Sequence, residues 1–238
     1  MIQLQDVLDA RRRISGQLLV TPCAPSEYFG EIFGGSAWFK FENLQRTGSF
    51  KERGALNRML LLSPKERAKG VVAASAGNHA QGVAYHARRL GIPAVIVMPE
   101  RTPLVKVANT EHYGARVVLH GSVYDEAMEE ALRIREAEGL TLVHPFDDDA
   151  IIAGQGTIGL ELLEQCPGLE VVVVGVGGGG IISGVALALK ESRPGIRVVG
   201  VESAALPAAF LSRQAGERVT IPPAETIAEG IAVRRIGE

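Results

Sequence analysis

Three short segments of this 238-residue sequence combine residue types that could hold a charged small molecule and act on it. The first is Thr47-Gly48-Ser49-Phe50-Lys51-Glu52-Arg53-Gly54, where a turn of small residues opens a helical pattern and Lys51 falls in its first turn. A cation there opposes the helix dipole, whose amino end is positive. The position therefore disfavours an ammonium and suits a neutral amine or an imine, which is what a Schiff-base lysine needs. Alone this is weak, because most lysines near a helix start are surface residues. The second segment, Ser75-Ala76-Gly77-Asn78-His79-Ala80-Gln81-Gly82, follows a strand-like run. Small residues and an Asn at a helix start expose several backbone N–H groups and one hydroxyl, a cradle for a carboxylate or phosphate. Asn78 also fits a plain helix cap, and His79 is more ordinary as a buried structural histidine than as a catalyst. The third, Gly175-Val176-Gly177-Gly178-Gly179-Gly180, spends four successive glycines where a routine connection needs none. Close approach of backbone to a phosphate at a helix amino terminus explains them.

The third segment also reads G-x-G-x-x-G, with Glu202 about 20 residues further on at the end of the next apolar run. In isolation that is a dinucleotide fingerprint. An NAD reading leaves the Lys51 turn and the Ser75–His79 turn without a purpose.

Elements that alternate between strand and helix must position these segments. Strand-like runs occur at Ala37–Phe41, Gly70–Ala74, Ala94–Met98, Arg116–Leu119, Thr141–His144, Glu170–Val174 and Arg197–Val201. Helical patterns fill Phe50–Leu62, Asn78–Leu90, Pro103–Tyr113, Val123–Glu138, Gly156–Glu164 and Ile181–Lys190. Nearly continuous apolar strands alternating with helices predict parallel sheets covered on both faces. Gly91, Gly114 and Gly139 stand where helices should stop. The expectation is an α/β fold of two open, mostly parallel sheets, with a ligand at the carboxyl ends of their strands. Asp147–Asp149 reads either as a crossing between the two units or as a solvated loop.

Composition narrows the class. Apolar residues make up 46%, charged residues 22%, and the net charge is −2. That is a globular profile with no electrostatic case for nucleic acid or an anionic membrane. No apolar run is long enough to span a bilayer, and Gln3, Gln5, Asp6 and Asp9 leave no apolar signal segment at the start. Cys23 and Cys166, far apart in sequence and without metal spacing, point to a cytoplasmic protein with no disulfide framework.

The three segments in this order resemble the fold-type II (tryptophan-synthase-β-like) pyridoxal-phosphate enzymes, and among them the threonine dehydratases, with serine racemases as near relatives. The likeness also covers Arg12-Arg13-Ile14, Thr21-Pro22, Glu42-Asn43-Leu44-Gln45, His144-Pro145-Phe146-Asp147-Asp148 and Gly154-Gln155-Gly156-Thr157. It implies pyridoxal 5'-phosphate as cofactor, Lys51 as Schiff-base lysine and general base, and Phe50 packed against the pyridine ring. It further implies Asn78 on the ring hydroxyl, Gly177, Gly178, Gly179 and Gly180 around the phosphate, and Ser75, Ala76, Gly77, Asn78 and His79 around the substrate carboxylate.

The implied reaction is loss of water from L-threonine to give 2-oxobutanoate and ammonia, with L-serine as a poorer substrate. The rivals are serine racemisation or β-replacement on the same scaffold, or a binding module without turnover. Racemases of this kind carry a serine where Ala76 stands and tend to have Asn where Phe146 stands, so both positions favour elimination. The likeness also implies a larger domain from residues 1–69 and 148–238, a smaller one from 70–147, and a homo-oligomer, dimer or tetramer. Relatives run on by further strands that supply a Ser or Cys facing the pyridine nitrogen, so the present sequence is expected to lack that part. No metal is expected: Glu202 matches a cation ligand of racemases, but Ala208 replaces an Asp.

Overall fold

The computed structural model describes residues 2–238. Helix α1 (Leu4–Ile14) buries Val7, Ala10 and Ile14, spaced to share one helical face. Strand β1 (Cys23–Ser26), helix α2 (Glu27–Phe33) and strand β2 (Ala37–Lys40) follow, and β1 and β2 pair antiparallel. Next come α3 (Lys51–Leu60) and α4 (Pro64–Lys69). Ser63 and Glu66 cap α4 reciprocally, with Pro64 in its first turn.

From there strand and helix alternate: β3 (Val71–Ala74), α5 (Asn78–Leu90), β4 (Ala94–Met98), α6 (Leu104–His112), β5 (Arg116–Leu119), α7 (Tyr124–Glu138) and β6 (Thr141–Leu142). The four strands form one parallel sheet in the order β5-β4-β3-β6. Both faces are covered. Val71, Ala73, Ile96 and Met98 pack on Ala80, Val83, Ala84 and Ala87 of α5, while Val72, Ala74, Val95 and Val97 pack on Ala127, Ala131 and Ile134 of α7. Continuous apolar strands are what a doubly covered parallel sheet requires.

The remaining elements are α8 (Asp149–Gln165), β7 (Val171–Gly175), α9 (Gly180–Ser192), β8 (Arg197–Val201) and α10 (Ala208–Ala215). Strands β7 and β8 are parallel, and Val172 and Val174 face Ile158 and Leu162 of α8 and Val185 and Leu189 of α9.

Three differences from the sequence expectation have physical causes. Helix α8 starts at Asp149 rather than Gly156, because Asp148 is its N-cap: its carboxylate accepts from the Ala150 N–H at 2.8 Å and the Ile151 N–H at 3.0 Å. The acidic run is thus a helix start rather than a solvated loop. The glycines that disguised this helix are contact points. A Cβ at Gly154 would lie 2.6 Å from Gly54 Cα, and one at Gly156 would lie 2.9 Å from the Gly184 carbonyl. Second, β6 stops at Leu142 instead of His144, since His144 Nδ1 accepts from the Asp147 N–H at 2.8 Å and the chain turns through Pro145. Third, Ala37–Lys40 joins an antiparallel pair rather than a parallel sheet. The two cysteines are free thiols with their sulfurs 3.1 Å apart, so residues distant in sequence meet where β1 touches the end of α8.

Candidate active site

Lys51 is the first residue of α3, with Phe50 as N-cap in helical geometry. Its N–H points at Ser49 Oγ, 3.4 Å away. The side chain is half-buried, Nζ donates to the Pro145 carbonyl at 2.7 Å, and the amine lies 5.4 Å from the centre of the Phe50 ring. Burial pushes the amine pKa down to about 8, because a charged ammonium is poorly solvated there. The sequence argument reached the same direction through the helix dipole; in the folded protein desolvation is the cause.

The second segment lies at the carboxyl end of β3. Ser75 N–H continues the ladder to the Val97 carbonyl at 3.0 Å, and Ser75 Oγ accepts from the Gly77 N–H at 3.2 Å. Gly77, not Asn78, is the N-cap of α5, so Asn78 stands exposed in the first helical position with its side chain uncommitted to capping. His79 is buried, and its Nε2 lies 2.8 Å from the Val143 carbonyl. A carbonyl only accepts, so Nε2 carries the hydrogen and Nδ1 keeps its lone pair without a partner. Burial, and then the charge of Lys51, drive the imidazole down to about 3, which keeps it neutral.

The third segment joins β7 to α9. Gly179 takes φ of 99°, a left-handed conformation open to glycine, and no side chain caps the helix that follows. The Phe146 side chain lies against this turn: a Cβ at Gly178 would come within 2.3 Å of its ring, and one at Gly180 within 2.6 Å of its carbonyl oxygen. A cavity of about 280 Å³ opens beside it, lined by Phe146, Asp147, Gly178, Gly179, Gly180 and Ser183 among others.

The strand-to-turn segment 143–146 joins all three. Val143 receives His79, Pro145 receives Lys51 Nζ, and Phe146 rests on the glycine turn. Gly82 closes the other side, since a Cβ there would lie 3.4 Å from the Lys51 carbonyl carbon and from Glu52 N. The sequence marked 144–148 only through the family resemblance; that this connector joins the three segments has no local signal beyond a proline turn between a strand and a helix.

A buried ion network behind Lys51 was also missed. Arg53 donates to Glu42 at 2.8 Å through both Nε and Nη2, and to Glu161 at 2.6 and 2.9 Å, which fastens α3 to α8. Although burial pulls the Arg53 pKa down, those two carboxylates hold it above its ordinary value. Glu202 is already used: its two oxygens accept from Ala209 and Phe210 N–H at 2.8 Å, capping α10.

Comparison with known proteins places the chain. It is 50% identical over all 238 residues to the L-threonine ammonia-lyase of Thermotoga maritima, of whose length it covers 59%. The processed form of threonine deaminase isoform 2 from Solanum lycopersicum matches 99% of this chain and 68% of its own, with a TM-score of 0.92 and 41% identity. Maize serine racemase superposes over 99% of this chain and 71% of its own, with a TM-score of 0.95 and 37% identity. The family model described as pyridoxal-phosphate dependent enzyme matches residues 14–238. With two parallel sheets, a lysine of lowered pKa and an uncapped glycine turn opening on one region, the chain belongs to the pyridoxal-phosphate dependent enzymes.

Proposed function

We propose that these residues form the lysine-bearing part of an enzyme that deaminates L-threonine to 2-oxobutanoate and ammonia, the water eliminated with the β-hydroxyl being taken up again in the hydrolysis that releases ammonia, with L-serine as a poorer substrate. The observation that carries this reading is the Lys51 amine, lowered to about 8 by burial and linked through Pro145 and Phe146 to the glycine turn.

The residues fit the cofactor. Lys51 offers an amine that is partly neutral near pH 8, and the turn at Gly177–Gly180 offers helix N–H groups with no side chain in the way. The cavity beside that turn has room for a phosphate. In our reading Lys51 holds the cofactor covalently, Phe50 packs on its ring, Asn78 meets its ring hydroxyl, and Gly177, Gly178, Gly179 and Gly180 take its phosphate. When bound, pyridoxal phosphate supplies an electron sink conjugated to the substrate Cα. Ser75, Ala76, Gly77, Asn78 and His79 orient the substrate carboxylate through backbone N–H groups and small side chains. Neutral His79 adds no charge there, which leaves Lys51 Nζ as the group that receives the Cα proton. Ala76 has no protic group, so proton delivery to the opposite face, as racemisation demands, lacks a donor at that position. Residues 70–147 serve as the smaller domain, 1–69 with 148–238 as the larger, and the protein works as a homo-oligomer.

The test is the absorption spectrum after pyridoxal-phosphate addition and desalting, for wild type and Lys51→Ala. A near-visible band present in wild type and absent in the variant is expected, followed by 2-oxobutanoate formation from L-threonine. A band that survives in Lys51→Ala would sink the anchor assignment. D-serine appearing from L-serine without keto acid would replace elimination by racemisation.

A further inference from the structure

Beside Lys51, Glu52 points the opposite way, into the interior, where it and His86 of α5 are both fully buried. Glu52 Oε2 lies 3.3 Å from His86 Nε2 as a close polar contact, and neither atom makes a hydrogen bond among the described residues. The other oxygen, Oε1, accepts from the N–H of Thr47, the residue that opens the turn leading to Lys51. Behind His86, Arg89 Nη1 lies 3.3 Å from Nδ1. A guanidinium can only donate, so Nδ1 holds the lone pair and Nε2 carries the hydrogen that faces Glu52. Arg89 is held in turn by the Gln17 carbonyl at 3.2 Å and lies 5.7 Å from the centre of the Tyr85 ring. A chain of polar contacts thus runs Arg89, His86, Glu52, Thr47.

Burying this chain is expensive if its only task is to hold α3 against α5. A well-packed apolar pair does that as well or better than a buried acid and histidine. An apolar pair cannot accept the Thr47 N–H. Burial disfavours the charge on Glu52, yet the proximity of His86 and the bond from the Thr47 N–H outweigh it and hold the carboxyl below its usual range. The ionised oxygen is therefore available to the turn.

We propose that Glu52 and His86 are positioning residues for Lys51: Glu52 fixes the Thr47–Lys51 turn through the Thr47 amide, and His86, braced by Arg89, fixes Glu52. This rests on the reading of Lys51 as cofactor anchor. Neither residue touches the reacting atoms; they set where the amine is delivered.

The test compares Glu52→Gln with the double variant Glu52→Leu/His86→Leu. Three readouts are taken: the melting temperature, the rate at which added pyridoxal phosphate produces the Lys51-dependent band, and amide exchange of the peptide spanning Thr47–Lys51. Glutamine keeps an oxygen for Thr47, so this variant retains the protected turn and most of the capture rate. The double leucine variant melts at or above the Glu52→Gln protein, yet captures the cofactor roughly tenfold or more slowly, with faster exchange in the turn, since small displacements of a reacting group cost rate steeply. A double variant with wild-type capture and a protected turn overturns the proposal. If that variant does not fold, His86→Leu replaces it, and capture by His86→Leu as fast as by Glu52→Gln overturns the proposal. A wild type that forms no Lys51-dependent band counts against the anchor reading alone, because Thr47 exchange still judges Glu52.

Discussion

A lysine in water titrates near 10.4, whereas burial brings Lys51 to about 8. The folded state then binds fewer protons than the unfolded chain between those values, so stability rises with pH across that window and the penalty is full below about 8. Replacing Lys51 with methionine keeps the length and removes the charge. It should stabilise the cofactor-free protein by roughly 2–3 kcal/mol at pH 7, a gain that shrinks towards pH 10. Urea midpoints at the two pH values measure it, and equal gains at both would contradict a buried ammonium. For the same reason cofactor capture, which needs the neutral amine, should accelerate as pH rises through about 8 and level off above it. His79 follows the same sign at lower pH. Its folded-state value of about 3 lies below the ordinary histidine value, so the stability it contributes is whole above about 6.5 and is lost as pH falls towards 3. Denaturation midpoints between pH 6.5 and 4 should fall less steeply in His79→Gln than in wild type.

At the scale of elements, α8 is the axis against which α3 and α9 lie, and glycine lets all three approach. Gly154 meets Gly54 and the Arg53 carbonyl, and Gly184 meets the Ile152 carbonyl and Gly156. Gly154→Ala forces a methyl to within 2.6 Å of backbone on α3, where no flexible side chain can move aside. Overpacking of this kind costs about 1–3 kcal/mol despite alanine's better helix propensity, and a lowered urea midpoint at unchanged slope would register it. These glycines also show what the sequence could and could not convey. Strands β3, β4, β5 and β8 and helices α5 and α7 were legible because their apolar spacing matches their period. The start of α8 was hidden because Gly154 reads as loop until its neighbour Gly54 on α3 is known, so the helical pattern in the sequence begins only at Gly156. Helix α4 carried its Ser63–Glu66 capping box openly, though the sequence reading placed no helix there. In the site, Lys51, His79 and the glycine turn were named from local pattern, whereas the Glu52–His86 contact depends on α3 lying against α5, a pairing no local spacing encodes.

For the whole molecule, the three candidate site segments come from α3, the β3–α5 turn and the β7–α9 turn, and segment 143–146 ties them together. A ligand that engages all three should stabilise the fold by binding only the native state. Saturating pyridoxal phosphate is therefore expected to raise the melting temperature of wild type by more than that of Lys51→Ala. Equal shifts in the two proteins, followed by calorimetry, would mean that the cofactor does not reach Lys51.

Gly82 gives the arrangement its stiffness. Because α5 meets α3 backbone to backbone there, with room at Gly82 for a methyl only in direct contact at 3.4 Å, the two helices lie close at this point with no side chain of Gly82 to absorb displacement. Any rotation that carries the four-stranded sheet and α5 is transmitted to Lys51 with little slack, as between meshed gears. The turn at the start of α5 and the amine at the start of α3 are therefore geared to move together, and their spacing is held by the helix contact itself.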